Sequence, residues 1–413
     1  MNLVCPPECN EGISPIMTTA VDFNPLSPEF QQQPYPHYRL ARDETPVRFV
    51  EALNAWGIFR YEDCAYTFKH PELFSARDFI ANAFGEFDPV PEVPSIIAMD
   101  PPDHTRLRKL ANRAFTPRVI RGMQANIEKV ISDLLDEAQE KGEFDFVADF
   151  AAYVPVSVTA EILGVDAALG RGDFKRWTMD LIKAPSRTAL PAAELAQMKT
   201  SVEELRAYFT DQIAYRRKNP GNDLISALVQ AEEENQTLTE LEVLSLVSLI
   251  QFGGSETPSH LIGTAMWQLF QQPETRRRVQ EEPALVGEVI DETLRHQSPV
   301  HFVFQTATQD IEMHGTTIPA DSLVFAFIGS ANRDERMFDD PDTFDIDRKG
   351  KNKHLGFARG AHYCIGDMLG KLMCGTSVQQ ALRRMPDLHP VDAEMEWMPS
   401  FWIRGPKELR VAP

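Results

Sequence analysis

The segment from Leu238 to Gln271 constrains this chain more than any other: its length and apolar content read as one long buried helix. It opens on Thr239-x-x-Glu242, a capping box in which hydroxyl and carboxylate reciprocally satisfy backbone N–H groups that a helix start leaves orphaned. Its middle holds Gly253, Gly254 and Pro258. Inside a helix each glycine costs about 1 kcal/mol relative to alanine, and a proline about 3 kcal/mol. Pro258 has no N–H, so the carbonyl of Gly254 loses its i+4 donor. A groove should open there, with an orphan acceptor and the Thr257 hydroxyl beside it. Taken alone, that is a kink.

Around this segment the pattern is mostly helical. After Asp103, a candidate cap, Leu107, Leu110, Ala111, Ala114 and Phe115 recur at helical spacing. Val119–Lys141, Val154–Leu163, Ala192–Arg217, Asp223–Glu234, Pro283–His296 and Ile365–Arg384 also read as helices. Strand-like patterns are confined to Thr45–Tyr61 about an Asn54-Ala55 turn, Ile311–Ile318, Val324–Ile328 and Trp397–Ile403. Residues 330–360, rich in Asp, Arg, Lys, Asn and Pro, read as ordered irregular coil. The expectation is a mainly α fold with small β-sheets at its edges.

With 413 residues, 43% of them hydrophobic, the chain can bury a large core. A formal net charge of −20 argues against nucleic acid and against an anionic membrane as partners. No uncharged apolar run of about 18 residues appears, so no membrane span is expected. Met1–Asn10, with Pro6, Pro7 and Glu8, lacks the features of a signal peptide. The reading is a flexible leader over residues 1–24, then a single domain over 25–413, monomeric and cytoplasmic. Five cysteines, Cys5, Cys9, Cys64, Cys364 and Cys374, are too sparse for a disulfide framework. Cys5 and Cys9 lack the second ligand pair that a metal site needs.

The most specific feature is Phe357-Ala-Arg-Gly360-Ala-His362-Tyr-Cys364-Ile-Gly366. Glycines at 356, 360 and 366 bracket a thiol just before a helix, and Gly356 and Gly360 permit backbone that L-residues avoid. At a helix start the free N–H groups and the dipole favour a thiolate, the form a metal ligand needs. Cys374, ten residues on in mid-helix, reads as an ordinary buried cysteine. The segment resembles the haem-binding loop of the cytochrome P450 family, Phe-x-x-Gly-x-x-x-Cys-x-Gly, at Phe357, Gly360, Cys364 and Gly366, with His362 at an often basic position.

The resemblance implies the P450 fold, with haem b between the long helix and the cysteine loop and Cys364 as the axial iron ligand. Gly254, Glu256 and Thr257 then match the family's oxygen-activating stretch, the last two as an acid–alcohol pair relaying protons. Glu292-x-x-Arg295 resembles the family's structural Glu-x-x-Arg element, tying a helix to the coil before the cysteine loop. His104 and Arg108, one turn apart, carry over as groups reaching the haem propionates. One position departs: Gln305 stands where the family usually has an arginine, and a glutamine cannot neutralise a propionate. Asp321 also replaces a common glycine, in what reads as a surface turn.

The implied reaction is insertion of one oxygen atom from O2 into a hydrophobic small molecule, by hydroxylation or epoxidation, as in secondary metabolism. The alternatives are carbon–carbon coupling, desaturation or peroxide-driven oxidation on the same fold, or a haem-binding protein without turnover. No flavin or nicotinamide fingerprint is present, so electrons are expected from a separate ferredoxin or flavodoxin with its reductase. Basic residues at Arg106, Arg108, Lys109, Arg113, Arg118 and Arg121, and at Arg348, Lys349, Lys351, Lys353 and Arg359, offer it a docking patch. Candidate pocket residues are Phe79, Phe84, Phe87 and Ile97 from the segment expected to cover the haem's distal side. Phe252, Val300, Phe302 and Val303 join them, as do Trp397, Phe401 and Trp402.

Overall fold

A computed structural model describes residues 23–165, 172–233 and 235–413. Most of the expected leader, with Cys5 and Cys9, lies outside the described residues.

Helices dominate, and their sequences say why. The Pro117–Gln139 helix starts on Thr116, whose hydroxyl accepts from the Val119 N–H at 3.3 Å, with Pro117 in the first turn. Its buried stripe, Ile120, Met123, Ile127, Ile131, Leu135 and Ala138, repeats every three or four residues and packs against the Asp367–Arg384 and Tyr153–Leu163 helices. One helical run, Phe146–Leu163, is apolar enough to cross a membrane by composition, but 67% of it is buried inside the protein.

The long central segment is two helices rather than one, Glu240–Gly253 and Glu256–Gln271, with the break at Gly254 and Ser255. The capping box at Thr239 and Glu242 is formed in full. The break follows from Pro258, which withdraws the donor that the Gly254 carbonyl needs. Side-chain hydroxyls serve the carbonyls around it: Thr257 Oγ1 donates to Gly253 O at 3.0 Å and Ser255 Oγ to Gln251 O at 2.5 Å.

At one edge lies a five-stranded mixed sheet, ordered Val47–Val50, Ala55–Ile58, Leu323–Ala326, Val303–Ala307, Phe74–Ser75. Its first pair runs antiparallel, with Val47 opposite Ile58, turning at Asn54 in the left-handed region (φ +48°). Three expectations need correction. Asp103 is the first residue of its helix and does not cap it; Pro102 holds the cap position. The helix expected over 223–234 stops at Val229, where a short hairpin, Glu232–Glu233 with Gln236–Thr237, takes over. The stretch 397–403 makes only isolated bridges, Val300 with Ile403 and Trp397 with Pro406.

The coil over 332–348 is held from one helix, Val286–His296. Both Glu292 and Arg295 are fully buried, and Arg295 Nε and Nη2 donate to the Glu292 carboxylate at 2.8 and 2.7 Å. The remaining guanidinium donors go to the carbonyls of Asn332, Pro341 and Thr343. Glu292 also accepts from Asp345 N and Arg348 Nε. Asn332 passes the tie onward, accepting from Leu355 N just before the cysteine loop. Replacing Arg295 with alanine leaves a buried carboxylate short of its main cation, a class of change that costs about 3–5 kcal/mol. Urea unfolding of Arg295→Ala should show a loss of that size; a loss below about 1 kcal/mol would contradict this account.

Candidate active site

The cysteine loop closes on itself through Cys364 N donating to Phe357 O at 3.0 Å and Tyr363 N to Gly360 O at 3.2 Å. Gly360 sits at φ +67°, and a Cβ there would lie 2.1 Å from the Phe68 carbonyl oxygen, so no other residue fits. Ala358 is also left-handed, at φ +56°, an uncommon conformation for a residue with a side chain. Gly356 is not left-handed; it is small because His354, Ser298 and Leu294 stand within 3.3 Å of where its Cβ would be. Gly366 caps the Asp367–Arg384 helix.

Cys364 is half-buried at the end of this loop. Burial pushes its thiol above the ordinary range, while the Gly366 N–H and Arg108 pull the other way. This reverses the expectation of a lowered thiol pKa from the helix start alone: desolvation outweighs the helix terminus.

His362, within the loop, meets His104 of the Asp103–Ala114 helix, the two tilted rings having centroids 4.3 Å apart. Both Nε2 atoms are buried without a hydrogen-bond partner. Burial, then His362 and Arg108, hold His104 down to about 4. His362 is lowered as well, first by burial, and burial also lowers Arg108. Two imidazoles that burial favours as neutral rings and the Arg108 guanidinium thus converge in a desolvated spot, where all three can donate hydrogen bonds. Gln305 is not among them. Its Nε2 donates to Phe74 O at 2.9 Å and Thr67 O at 3.3 Å, so both its protons serve the sheet edge. Asp321 is indeed an exposed turn residue, at φ +58°, bonded to Arg77 at 2.6 Å.

The helix break is tied to the cysteine helix through Cys374, whose thiol donates to Pro258 O at 3.6 Å. Glu256 and Thr257 are half-buried beside it. A Cβ on Gly254 would lie 2.6 Å from Ile250 O, which accounts for the glycine. Phe84 meets Phe252 edge-on at 4.6 Å, bringing the 79–98 segment onto the broken helix. Ile97 is half-buried nearby in sequence, and Phe87 is buried. Phe79 is stacked on Phe304 at 4.7 Å. Phe304, in the strand carrying Val303, went unremarked in the sequence because alternation assigns it no more than a strand face.

Two pocket candidates belong to packed core instead. Phe302, 2% exposed, stacks between Phe325 and Phe401. Trp397 is covered by the Arg404 guanidinium 3.9 Å from its ring, and its backbone is bonded both ways to the Gln32 amide. Val300, Val303, Phe401 and Trp402 remain half-buried, with Trp402 Nε1 donating to Phe302 O. His260, missed in the sequence, lies one turn from Glu256; that spacing alone is common on solvated helix faces.

Of the basic residues, Lys109, Arg113, Arg118, Arg121, Lys349 and Lys353 are exposed. Arg348 leaves the set, since its guanidinium is buried on Glu292 and on the carbonyls of Asp339, Asp340 and Thr343. Arg106 is bonded to Glu242 and Lys351 to Glu288.

A sequence model of the family described as Cytochrome P450 matches residues 53–387. Cytochrome P450 107B1 of Saccharopolyspora erythraea is 34% identical over 400 residues, 93% of this chain and 96% of that protein. Cytochrome P450 CYP109Q5 from Chondromyces apiculatus superposes with a TM-score of 0.86 at 34% identity, covering 95% of this chain and 98% of its own. The Bacillus subtilis bacillaene polyketide synthase cytochrome P450 PksS does so with 0.85 at 31%, covering 94% and 99%. Matched along nearly its whole length in sequence and in fold, the chain belongs to the cytochrome P450 family and is a haem-thiolate oxidoreductase of the monooxygenase type.

Proposed function

We propose that this chain inserts one oxygen atom from dioxygen into an apolar small molecule, by hydroxylation or epoxidation, on haem b held by Cys364. The observation that carries this reading is the cysteine loop, closed by its own backbone and presenting a desolvated thiol. Burial alone favours the neutral thiol, and a metal cation against the sulfur is what makes the thiolate stable there. The residues fit the group in a second way. The unpartnered Nε2 atoms of His104 and His362, with Arg108, suit the two propionate carboxylates. Gln305 contributes nothing to that cage, which leaves it resting on these three groups.

Cys364 would hold the haem through its sulfur, and the bound group would supply the activation of dioxygen, the thiolate's electron density favouring O–O cleavage. The protein's own residues do the rest. Glu256 supplies protons, and the Thr257 hydroxyl, now donating to the Gly253 carbonyl, passes them into the groove at the helix break. The Phe84–Phe252 contact and Ile97 give an apolar wall that holds substrate and excludes water. PksS, by its name, belongs to polyketide biosynthesis; together with the aromatic wall this favours a hydrophobic natural product. The presence of both Glu256 and Thr257 favours turnover with dioxygen over haem carriage.

Bacterial members of the family take electrons from separate redox proteins. An acidic ferredoxin or flavodoxin is the partner that the exposed Arg113, Arg118, Arg121 and Lys349 favour.

Replacing Cys364 with alanine should abolish the thiolate-type spectrum of the reduced, carbon-monoxide-bound protein and strip most of the haem. An unchanged spectrum in that variant sinks the reading. Isotope-labelled dioxygen should appear in the product of any ligand that shifts the haem spectrum; label absent from product selects desaturation or coupling instead. Charge reversal at Arg118 and Arg121 should raise the KM for an acidic donor, with the effect fading at high salt. In the haem-free protein His104 sits at about 4, against an ordinary 6.5. Between those values the unfolded chain binds a proton that the folded one refuses. Stability is therefore intact above pH 6.5 and falls as pH drops through that window. Tm measured against pH should show this slope, and His104→Asn should lessen it, the remainder coming from His296, His301, His354 and His362, which burial also lowers.

A further inference from the structure

We propose that His260 is a positioning residue for Glu256, holding its carboxylate from one helical turn below; this rests on the reading of Glu256 as the proton-supplying acid. His260 lies on the Glu256–Gln271 helix, its Nε2 3.6 Å from Glu256 Oε1. Among the described residues this is the one ion-pair contact the Glu256 carboxylate makes. The ring is 5% exposed, and neither nitrogen has a hydrogen-bond partner. Leaving both nitrogens of a buried imidazole unpaired is costly, and an apolar side chain of similar volume would fill the space without that cost.

The ring's place is fixed from its other side. Gly405 packs against it, and a Cβ at 405 would lie 2.1 Å from His260 Nδ1. Glu256, with 29% of its side chain exposed, is less enclosed than His260. A separation of 3.6 Å is beyond a hydrogen bond, and a modest rotation of the glutamate closes it. A Glu at i with a basic group at i+4 is also the favourable order on a helix. The enclosed imidazole therefore offers a resting partner to a partly exposed carboxylate next in sequence to Thr257, whose hydroxyl donates to Gly253 O. It sets which way Glu256 points, and so whether its proton reaches the groove.

The test uses the holoenzyme with a surrogate reductase and compares His260→Leu, His260→Gln and Glu256→Gln. His260→Leu should keep its haem and its reduced carbon-monoxide spectrum yet release about three to ten times more peroxide per NADPH consumed. His260→Gln, which keeps a donor, should recover most of the coupling. Independently of turnover, the nitrogen-15 signal of the His260 ring, assigned by its loss in His260→Leu, should shift in Glu256→Gln. Equal uncoupling in both His260 variants with no such shift would reduce His260 to packing against Gly405 and overturn the proposal. So would wild-type coupling in His260→Leu. If Glu256→Gln itself stays coupled, the reading of Glu256 falls and takes the role of His260 with it, while the ring shift still reports their contact.

Discussion

The interaction on which this molecule depends is a buried ion pair far from any chemistry. Glu292 and Arg295 have no accessible side-chain surface, and every guanidinium proton is spoken for. An ion pair in such a place gains little over apolar packing, because desolvation offsets the Coulomb attraction. What it gives is definition. Three backbone carbonyls of an irregular coil are fixed by one planar fork, and through Asn332 the same bonding reaches Leu355 at the threshold of the cysteine loop. A coil of this kind has no ladder or helix to satisfy its backbone, so side chains must do it.

The site shows the opposite condition, polar groups buried without partners. A thiol pushed upward, two histidines pushed downward and two orphaned imidazole nitrogens are each unfavourable in the protein alone. On the proposed reading they become favourable together when a flat group carrying a cation at its centre and carboxylates at its rim lies among them. Unsatisfied polar groups of this kind are what a binding site carries and a core does not.

The break in the central helix belongs to the same logic. Two glycines and a proline weaken an otherwise strongly helical segment, and hydroxyls from Ser255 and Thr257 take over part of the lost bonding. A hydroxyl bound to a carbonyl by a single hydrogen bond can exchange partners in a way that a backbone N–H in a helix does not. The acid beside it has His260 one turn away and 29% of its side chain exposed.

Much of this was legible in the residues. The period of apolar side chains determined that the chain is helical, the glycine-bracketed Cys364 marked the candidate site, and Gly253, Gly254 and Pro258 marked the weak point of the central helix, because each of these is a property of neighbours along the chain. Tertiary structure decided what depends on who is buried against whom. It split the central helix in two, reversed the direction in which the Cys364 thiol shifts, moved Phe302 and Trp397 from pocket to core, and turned Arg348 from a surface charge into a buried tie on Glu292. The physical reason is the same in each case: desolvation and packing are set by residues distant in sequence, and no local pattern records which of them will arrive.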